Sequence, residues 1–130
     1  MSPLEATKAM YDQLAQGDWA AVADFMAEDF VIHEPPSLPY GGDWTGRDAL
    51  QRLFQHVMGF WDDAAVEWID LAGGEHHAVA LLRMSATARA TGIRFTQQVA
   101  EVTRFAADGK MAEMHIHYFD AGEIARIVAG

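Results

Sequence analysis

The run Phe95-Thr96-Gln97-Gln98-Val99-Ala100-Glu101-Val102-Thr103-Arg104-Phe105 alternates in a way that predicts a β-strand with one apolar face. Successive side chains on a strand point to opposite faces, so Glu101 shares its face with Val99 and Phe105. An ionised carboxylate without a partner is costly to bury, and such a group normally pairs, takes up a proton or lines a polar cavity. Glu101 is therefore a candidate functional residue.

Three further strand-like runs surround this segment, and we predict strands over residues 64–72, 78–90, 93–105 and 110–119. The intervening turns contain Gly73-Gly74, Thr91-Gly92 and Asp108-Gly109. Turns this short predict an antiparallel meander. Pairing the strands about the last two turns makes Leu82 and Ile116 the cross-strand neighbours of Glu101. The other residues expected on this inner face include Met84, Val99, Met114 and Tyr118.

The N-terminal half is predicted to be mostly helical. Ser2 followed by Pro3 favours a helix start, and Gly17 is expected to end this first helix. Asp18 can cap a second, antiparallel helix, which would carry Trp19, Val22, Phe25 and Met26.

A strand over residues 30–34 and a loop from Ser37 to Trp44 are predicted next. Pro35-Pro36 is expected to stop the strand, because proline cannot continue a central ladder. The segment Thr45-Gly46-Arg47-Asp48 resembles a capping box before a third helix. The inward stripe of this helix would be Leu50, Leu53, Phe54 and Val57, and a short helix over residues 121–128 would close the chain.

Composition restricts the classes of function. The 130 residues fit a single domain spanning 1–130, and the formal net charge of −10 argues against nucleic-acid and anionic-membrane surfaces. Cysteine is absent, no run approaches the roughly 20 apolar residues of a membrane span, and no basic-then-apolar leader opens the chain. We therefore expect a cytoplasmic protein.

The order helix, helix, short strand, helix and four-stranded meander, with a carboxylate on the inner face, resembles the nuclear transport factor 2-like superfamily. Within it, the chain looks most like the SnoaL-like polyketide cyclase and ketosteroid isomerase branch. The segments that carry the likeness are residues 11–19, 30–35 and 45–50, together with Glu101-Val102-Thr103-Arg104-Phe105 and Asp108-Gly109-Lys110. The resemblance implies an α+β fold, in which a cone-shaped, curved antiparallel sheet packs against three N-terminal helices around a pocket.

The resemblance also implies a site. In ketosteroid isomerases, an acid before a proline at the end of the first strand is the general base, and Glu34 before Pro35 stands at that place. Glu101 matches the protonated acid of their oxyanion hole, and Tyr11 is the nearest match to the helix-1 tyrosine. The sequence departs from the isomerase pattern because both acids are glutamates, the loop after Glu34 is longer and the Tyr11-to-Gly17 spacing is one residue shorter.

We assign the two acids roles from their expected surroundings. Glu34, at a more open strand end, would be the ionised base, and Glu101, deeper in the apolar pocket, would be the neutral donor. Two alternatives stay open: Glu101 could pair with an arginine in a structural core, and Glu34 could be a solvated loop residue. The predicted substrate contacts are Tyr11, His33, Tyr40, Trp44, Phe54, Leu82, Met84, Val99, Met114, Ile116 and Tyr118, with Leu38, Tyr40 and Trp44 in a lid.

We predict that the histidines bind no metal ion. His33 alternates away from Glu34, so one of the two should face the pocket. His115 and His117 share a face that we expect to be the outer one, with Glu113, and they would need a converging third ligand to bind a metal ion. We predict no cofactor. Leu81 and Val102 lie on the same outer face, through which the resemblance implies a homodimer.

The function expected from these features is cofactor-free proton transfer on a small apolar carbonyl compound, as in an isomerase or an aldol-type cyclase. One alternative is a binding module of the same fold without catalysis. Another is an epoxide hydrolase-like activity, which in this fold needs an Asp-Arg-Asp arrangement around a water molecule. The meander arginines Arg83, Arg89, Arg94 and Arg104 are all expected on the outer face.

Overall fold

A computed structural model describes residues 1–129 as helices packed on a single sheet. Over this range the helices are α1 (Pro3–Ala15), α2 (Trp19–Ala23), α3 (Ala49–Val57) and α4 (Ala121–Ala129). The strands are β1 (Met26–Glu34), β2 (Gly42–Thr45), β3 (Trp61–Gly73), β4 (His77–Ala88), β5 (Arg94–Phe105) and β6 (Met111–Tyr118). The predicted α+β class is confirmed.

The six strands form a curved, unclosed sheet in the order β2-β1-β6-β5-β4-β3. Strands β3 to β6 pair antiparallel with their sequence neighbours, which confirms the predicted meander. Strand β1 runs parallel to β6, and β2 pairs antiparallel with β1 at the edge. Strand β2 lies where we predicted only loop, so the segment after Pro36 returns to the sheet.

The register of β5 brings Glu101 to the predicted inner face. Glu101 pairs with Ala80 on β4 and with Ile116 on β6. Leu82 pairs with Val99, one position along the same face, so the expectation that Leu82 lies directly across from Glu101 is wrong. The residue directly across from Glu101 on β4 is therefore the small, buried Ala80.

The start and end of α1 and the start of α2 lie where the sequence signals them. The Ser2 hydroxyl accepts from the Glu5 N–H at 3.1 Å, while the Glu5 carboxylate accepts from the Ser2 N–H at 3.0 Å, so α1 begins with a complete capping box. Gly17 adopts a left-handed φ of 71° just after α1. The Asp18 carboxylate caps α2 through the Ala21 N–H at 3.1 Å.

Three predictions about helix residues are wrong. Phe25 lies beyond the end of α2 at Ala23, and Met26 is the first residue of β1, where its backbone pairs with Met111 on β6. Phe54 is exposed, and its ring packs on Trp19 at a centroid distance of 5.5 Å instead of turning inward. The predicted capping box of α3 does not form either, since Asp48 makes no side-chain cap and instead accepts from Arg52 Nε at 3.0 Å.

The loop between β1 and β2 packs tightly against the end of β1. Leu38 and Tyr40 are buried within it, and two turns bond the Leu38 N–H to the Pro35 carbonyl and the Gly41 N–H to the Leu38 carbonyl. A Cβ atom at Gly41 would lie 2.2 Å from the Pro35 carbonyl oxygen, so only glycine fits there. This loop therefore holds Tyr40 over the strand end that carries Glu34.

None of the helices within residues 1–129 is long and apolar enough to cross a lipid bilayer.

Candidate functional site

Glu34 ends β1 with its side chain turned to the inner face of the sheet. It is buried, with 5% of its surface exposed, because its backbone sits between β2 and the buried loop that follows. The Tyr118 hydroxyl on β6 donates to Glu34 Oε2 at 3.2 Å. Glu34 Oε1 is buried and has no hydrogen-bond partner within residues 1–129. The expected open, solvated strand end is thus not observed.

Glu101 lies on the same inner face, two strands away on β5. The Tyr11 hydroxyl on α1 donates to Glu101 Oε1 at 2.6 Å, which ties the first helix to the sheet. Glu101 keeps some accessible surface, whereas Tyr11 is buried. Within residues 1–129 the arginines are all exposed, so Glu101 is not clamped by an internal cation. Its neighbour is a phenol rather than a guanidinium group.

Burial and mutual repulsion shift the titration of these acids. Loss of solvent raises the pKa of Glu34 to about 8, and the charge of Glu101 adds to the rise, while the bond from Tyr118 opposes it. Burial also raises the pKa of Glu101, against the hydrogen bond from Tyr11. Both carboxyl groups therefore release their protons at higher pH than exposed glutamates do.

Tyrosines surround the two acids. Burial, and then the Glu34 charge, raises the pKa of Tyr40 to about 12. The same causes hold the pKa of Tyr118 well above its usual range. Burial and then Glu101 raise the pKa of Tyr11. These phenols remain protonated at neutral pH and can act as hydrogen-bond donors to the carboxyl groups.

The other residues predicted to contact the substrate differ in how deeply they are buried. Leu82, Val99, Met114 and Ile116 are buried in the core, and Met84 and Trp44 are half-buried beside it. Trp44 Nε1 donates to the Tyr40 carbonyl at 3.0 Å, so the tryptophan is tied to the buried loop. Phe54 lies outside this group, on the exposed side of α3.

A cavity of about 530 Å³ opens between α1 and β3. Its lining includes Tyr11, whose hydroxyl contacts Glu101, together with Trp68, whose ring meets the Tyr11 ring edge-on at 4.8 Å. Volumes of this size hold small-molecule ligands in other proteins. The remaining lining residues are Leu4, Lys8, Asp12, Ala15, Ile69, Asp70 and Leu71.

His33 points to the outer face, so its predicted place in the pocket is wrong. Its Nδ1 lies 2.8 Å from Asp43 Oδ1, and its Nε2 lies 3.0 Å from Glu113 Oε2. Burial lowers the pKa of His33, but the bonds to these two carboxylates outweigh burial and raise it overall. The strand alternation at His33 and Glu34 is regular, and Glu34 is the residue that turns inward.

Around His33 the outer face carries a polar cluster. The bond from Arg104 and then that from His33 lower the pKa of Glu113 to about 2. The His115 ring stacks on the His33 ring at 4.3 Å, and His117 follows on the same face, as predicted. Ligand atoms of His33, Glu113 and His115 lie within 4.8 Å of one another, so this cluster could hold a metal ion.

The sequence interpretation missed two contributors. Trp68 lines the cavity and pairs with Leu82 on β4, a register that depends on an irregularity between Trp68 and Asp70 that the turn residues do not signal. Asp43 contacts His33 from β2, a strand that the sequence did not reveal. A short edge strand after two prolines leaves little signal in the sequence.

Comparison with known proteins identifies the family. The family model of the SnoaL-like domain matches residues 7–114. The chain belongs to the SnoaL-like family. Glu34 and Glu101 both fall within the matched region, and the family lies in the nuclear transport factor 2-like superfamily, as predicted. A comparison with curated proteins found no match.

Solved structures share this fold over almost the whole chain. A nuclear transport factor 2-like protein from Burkholderia thailandensis is 25% identical, with a TM-score of 0.82, over 99% of this chain and 95% of its own. One of unknown function from Burkholderia pseudomallei is 22% identical, with a TM-score of 0.82, over 100% of both chains. A protein from Mesorhizobium loti assigned to the SnoaL-like polyketide cyclases is 24% identical, with a TM-score of 0.69, over 91% of this chain and 100% of its own.

Proposed function

We propose that this SnoaL-like protein is a cofactor-free enzyme that transfers protons on a small apolar carbonyl compound, using Glu34 and Glu101. The observation that carries the proposal is the pair of inner-face carboxyl groups, each bonded by a tyrosine hydroxyl, with the pKa of Glu34 raised to about 8. A general acid or base works best when its pKa lies near the operating pH.

The contacts favour a definite division of roles, opposite to the one expected from the sequence. The short bond from Tyr11 stabilises a charge on Glu101, whereas Glu34 accepts a longer bond and has one oxygen without a partner. We therefore assign the protonated, neutral form at neutral pH to Glu34. Glu101 would act as the base and Glu34 as the neutral donor.

The proposed first step is enolisation. The Glu101 carboxylate removes a proton from the carbon next to the carbonyl group, and the electron pair of that C–H bond moves toward the carbonyl oxygen. Glu34 donates its proton, or a hydrogen bond, to this oxygen as negative charge develops there. Return of the proton to another carbon gives an isomer, and attack of the enolate carbon on a second carbonyl group gives an aldol-type cyclisation.

Access to the acids is proposed through the cavity between α1 and β3. Tyr11 links the two features, because it lines the cavity and its hydroxyl contacts Glu101. The aromatic wall formed with Trp68 suits an apolar or aromatic substrate. The Mesorhizobium protein assigned to the polyketide cyclases supports a substrate of this class by similarity of fold.

Hydrogen exchange tests the proposal. The protein is incubated with a panel of cyclic ketones in deuterated water, and deuterium incorporation next to the carbonyl group is measured by mass spectrometry. We expect Glu101→Gln to slow exchange by roughly 10²- to 10⁴-fold, and Glu34→Gln to slow it as well, because each variant removes one partner of the proton transfer.

The matched control is Glu28→Gln, since Glu28 is an exposed acid on the same strand as Glu34. Its exchange rate should equal that of the wild type. Retained exchange in both inner-face variants would overturn the two-acid mechanism. Ligand binding without exchange in the wild type would instead support the non-catalytic binding module.

The epoxide hydrolase-like alternative has less support. It needs an arginine between two acids, and each arginine within residues 1–129 is exposed. Several pair with surface acids, as in the 2.7 Å contact of Arg89 Nε with Asp62 Oδ1. The homodimer through the outer sheet face remains a prediction.

A further inference from the structure

Strands β1 and β6 bring two histidines together on the outer face, on the opposite side of the sheet from the two acids. His33 and His115 are paired in the parallel register of these strands. Their rings stack at a centroid distance of 4.3 Å with an angle of 26° between the planes. Glu113 lies two residues before His115 on β6, so its side chain shares the same face.

Three potential ligand atoms converge at this place. His33 Nε2 and His115 Nε2 lie 3.0 Å and 3.7 Å from the same atom, Glu113 Oε2. Zinc bonds to imidazole nitrogen and carboxylate oxygen at about 2.0–2.2 Å, which puts two ligands of a tetrahedral ion about 3.3 Å apart. The two observed separations lie on either side of this value, and the three ligand atoms all lie within 4.8 Å of one another.

The surroundings hold the ligands in place. Asp43 Oδ1 contacts His33 Nδ1 at 2.8 Å, the arrangement in which a carboxylate orients a metal-binding imidazole through its second nitrogen. Arg104 Nε donates to Glu113 Oε1 at 2.8 Å and leaves Oε2 directed at the histidines. In the single chain the side chains of His33 and Glu113 are 29% and 26% exposed.

We propose that His33, Glu113 and His115 bind a divalent transition-metal ion, with Zn²⁺ as the best match for two imidazoles and one carboxylate. Asp43 is a positioning residue for His33. Solvent would occupy the remaining coordination position. The site is separate from the inner-face acids and does not depend on the proton-transfer function.

Titration of the full chain with Zn²⁺ tests the proposal. We expect one ion per chain, and a visible absorption spectrum typical of low-symmetry coordination when Co²⁺ is used instead. His33→Ala and His115→Ala should each lose stoichiometric binding. Asp43→Asn should retain the site with roughly tenfold or greater loss of affinity, because it removes only the orienting contact.

Exposed histidines elsewhere supply the control. His76 and His77 are adjacent and exposed, so the double variant H76A/H77A removes the competing surface histidines and should bind Zn²⁺ as the wild type does. Thermal melting without metal confirms that each variant folds, and Zn²⁺ should raise the Tm of the wild type but not of His33→Ala. Absence of stoichiometric binding in the wild type, or equal binding by His33→Ala, would overturn the proposal.

Discussion

His33 and Glu34 are neighbours in the chain, yet they belong to regions of opposite chemistry. On the inner face, burial raises the pKa of Glu34 to about 8. On the outer face, Arg104 and His33 lower the pKa of Glu113 to about 2. Two glutamates with the same intrinsic acidity thus differ because one lies among apolar groups and phenols and the other among cations.

This contrast explains why the two faces suit different functions. A carboxyl group that titrates near neutral pH can gain and lose a proton during turnover, which is the basis of the proposed enolisation. A carboxylate that stays ionised over the physiological range can hold cations, and the proposed metal site uses it in this way. Alternation along β1 separates the two environments by a single residue.

The largest expected effect concerns the pH dependence of stability. Between its ordinary pKa of 4.5 and the folded value of about 8, Glu34 holds a proton in the folded state that the unfolded chain has released. The free energy of unfolding should therefore fall as pH rises through this window. Glu34→Gln removes this contribution, so urea unfolding should show the variant gaining stability relative to the wild type from pH 5 to pH 8, by on the order of a few kcal/mol.

The control for this series is Glu28→Gln, which should keep the slope of the wild type. On the outer face the free energy of unfolding should change with pH in the opposite direction. Glu113 contributes stability above the ordinary pKa of 4.5, and this contribution is lost as pH falls toward about 2. A Glu34→Gln variant whose stability runs parallel to the wild type across pH 5 to 8 would contradict the contrast between the faces.

A smaller effect should distinguish the two tyrosine bonds of the inner face. Tyr11→Phe removes a 2.6 Å bond to the acid that we propose to be ionised, and we expect it to lower stability by about 1.5–3 kcal/mol and to raise the pKa of Glu101. Tyr118→Phe removes a 3.2 Å bond to a neutral carboxyl group and should cost about 1 kcal/mol. Chemical denaturation at pH 7 compares the two variants, and a larger cost for Tyr118→Phe would contradict the assignment of the neutral form to Glu34.

The smallest effect is expected on the outer face. Arg104→Gln breaks the 2.8 Å contact with Glu113, but both side chains are partly exposed to solvent. We expect a loss of less than about 1 kcal/mol, which should diminish further in high salt. Chemical denaturation of Arg104→Gln at low and high ionic strength measures this loss of stability. A loss of several kcal/mol that does not depend on salt would mean that the Arg104–Glu113 contact is a major structural contribution.

The sequence was sufficient for the parts of the fold that depend on local signals. Turns at Thr91-Gly92 and Asp108-Gly109 fix the hairpins, and alternation then places Glu101 on the inner face. The parallel pairing of β1 with β6 joins segments about 80 residues apart, and no local pattern specifies it. For this reason the meeting of His33 with His115 was not predicted.

The errors have physical reasons as well. Phe54 fits a helical apolar stripe, but Trp19 offers it a partner on the outside of α3, so an apolar side chain need not turn inward. Glu34 looked like a solvated loop residue because two prolines follow it. Burial of Leu38 and Tyr40 closes that end of the strand, and this closure depends on contacts that the sequence does not display.

The most direct test of the inner-face site is a pH titration of the glutamate carboxyl groups. The titration is monitored by NMR of protein labelled with ¹³C-glutamate. The resonances of Glu34 and Glu101 are assigned from the signals that disappear in the variants Glu34→Gln and Glu101→Gln. We predict one resonance with a midpoint near pH 8 that disappears in Glu34→Gln and moves to lower pH in Glu101→Gln, since the charge of Glu101 contributes to the shift. Titration of all glutamates below about pH 5 would contradict the account.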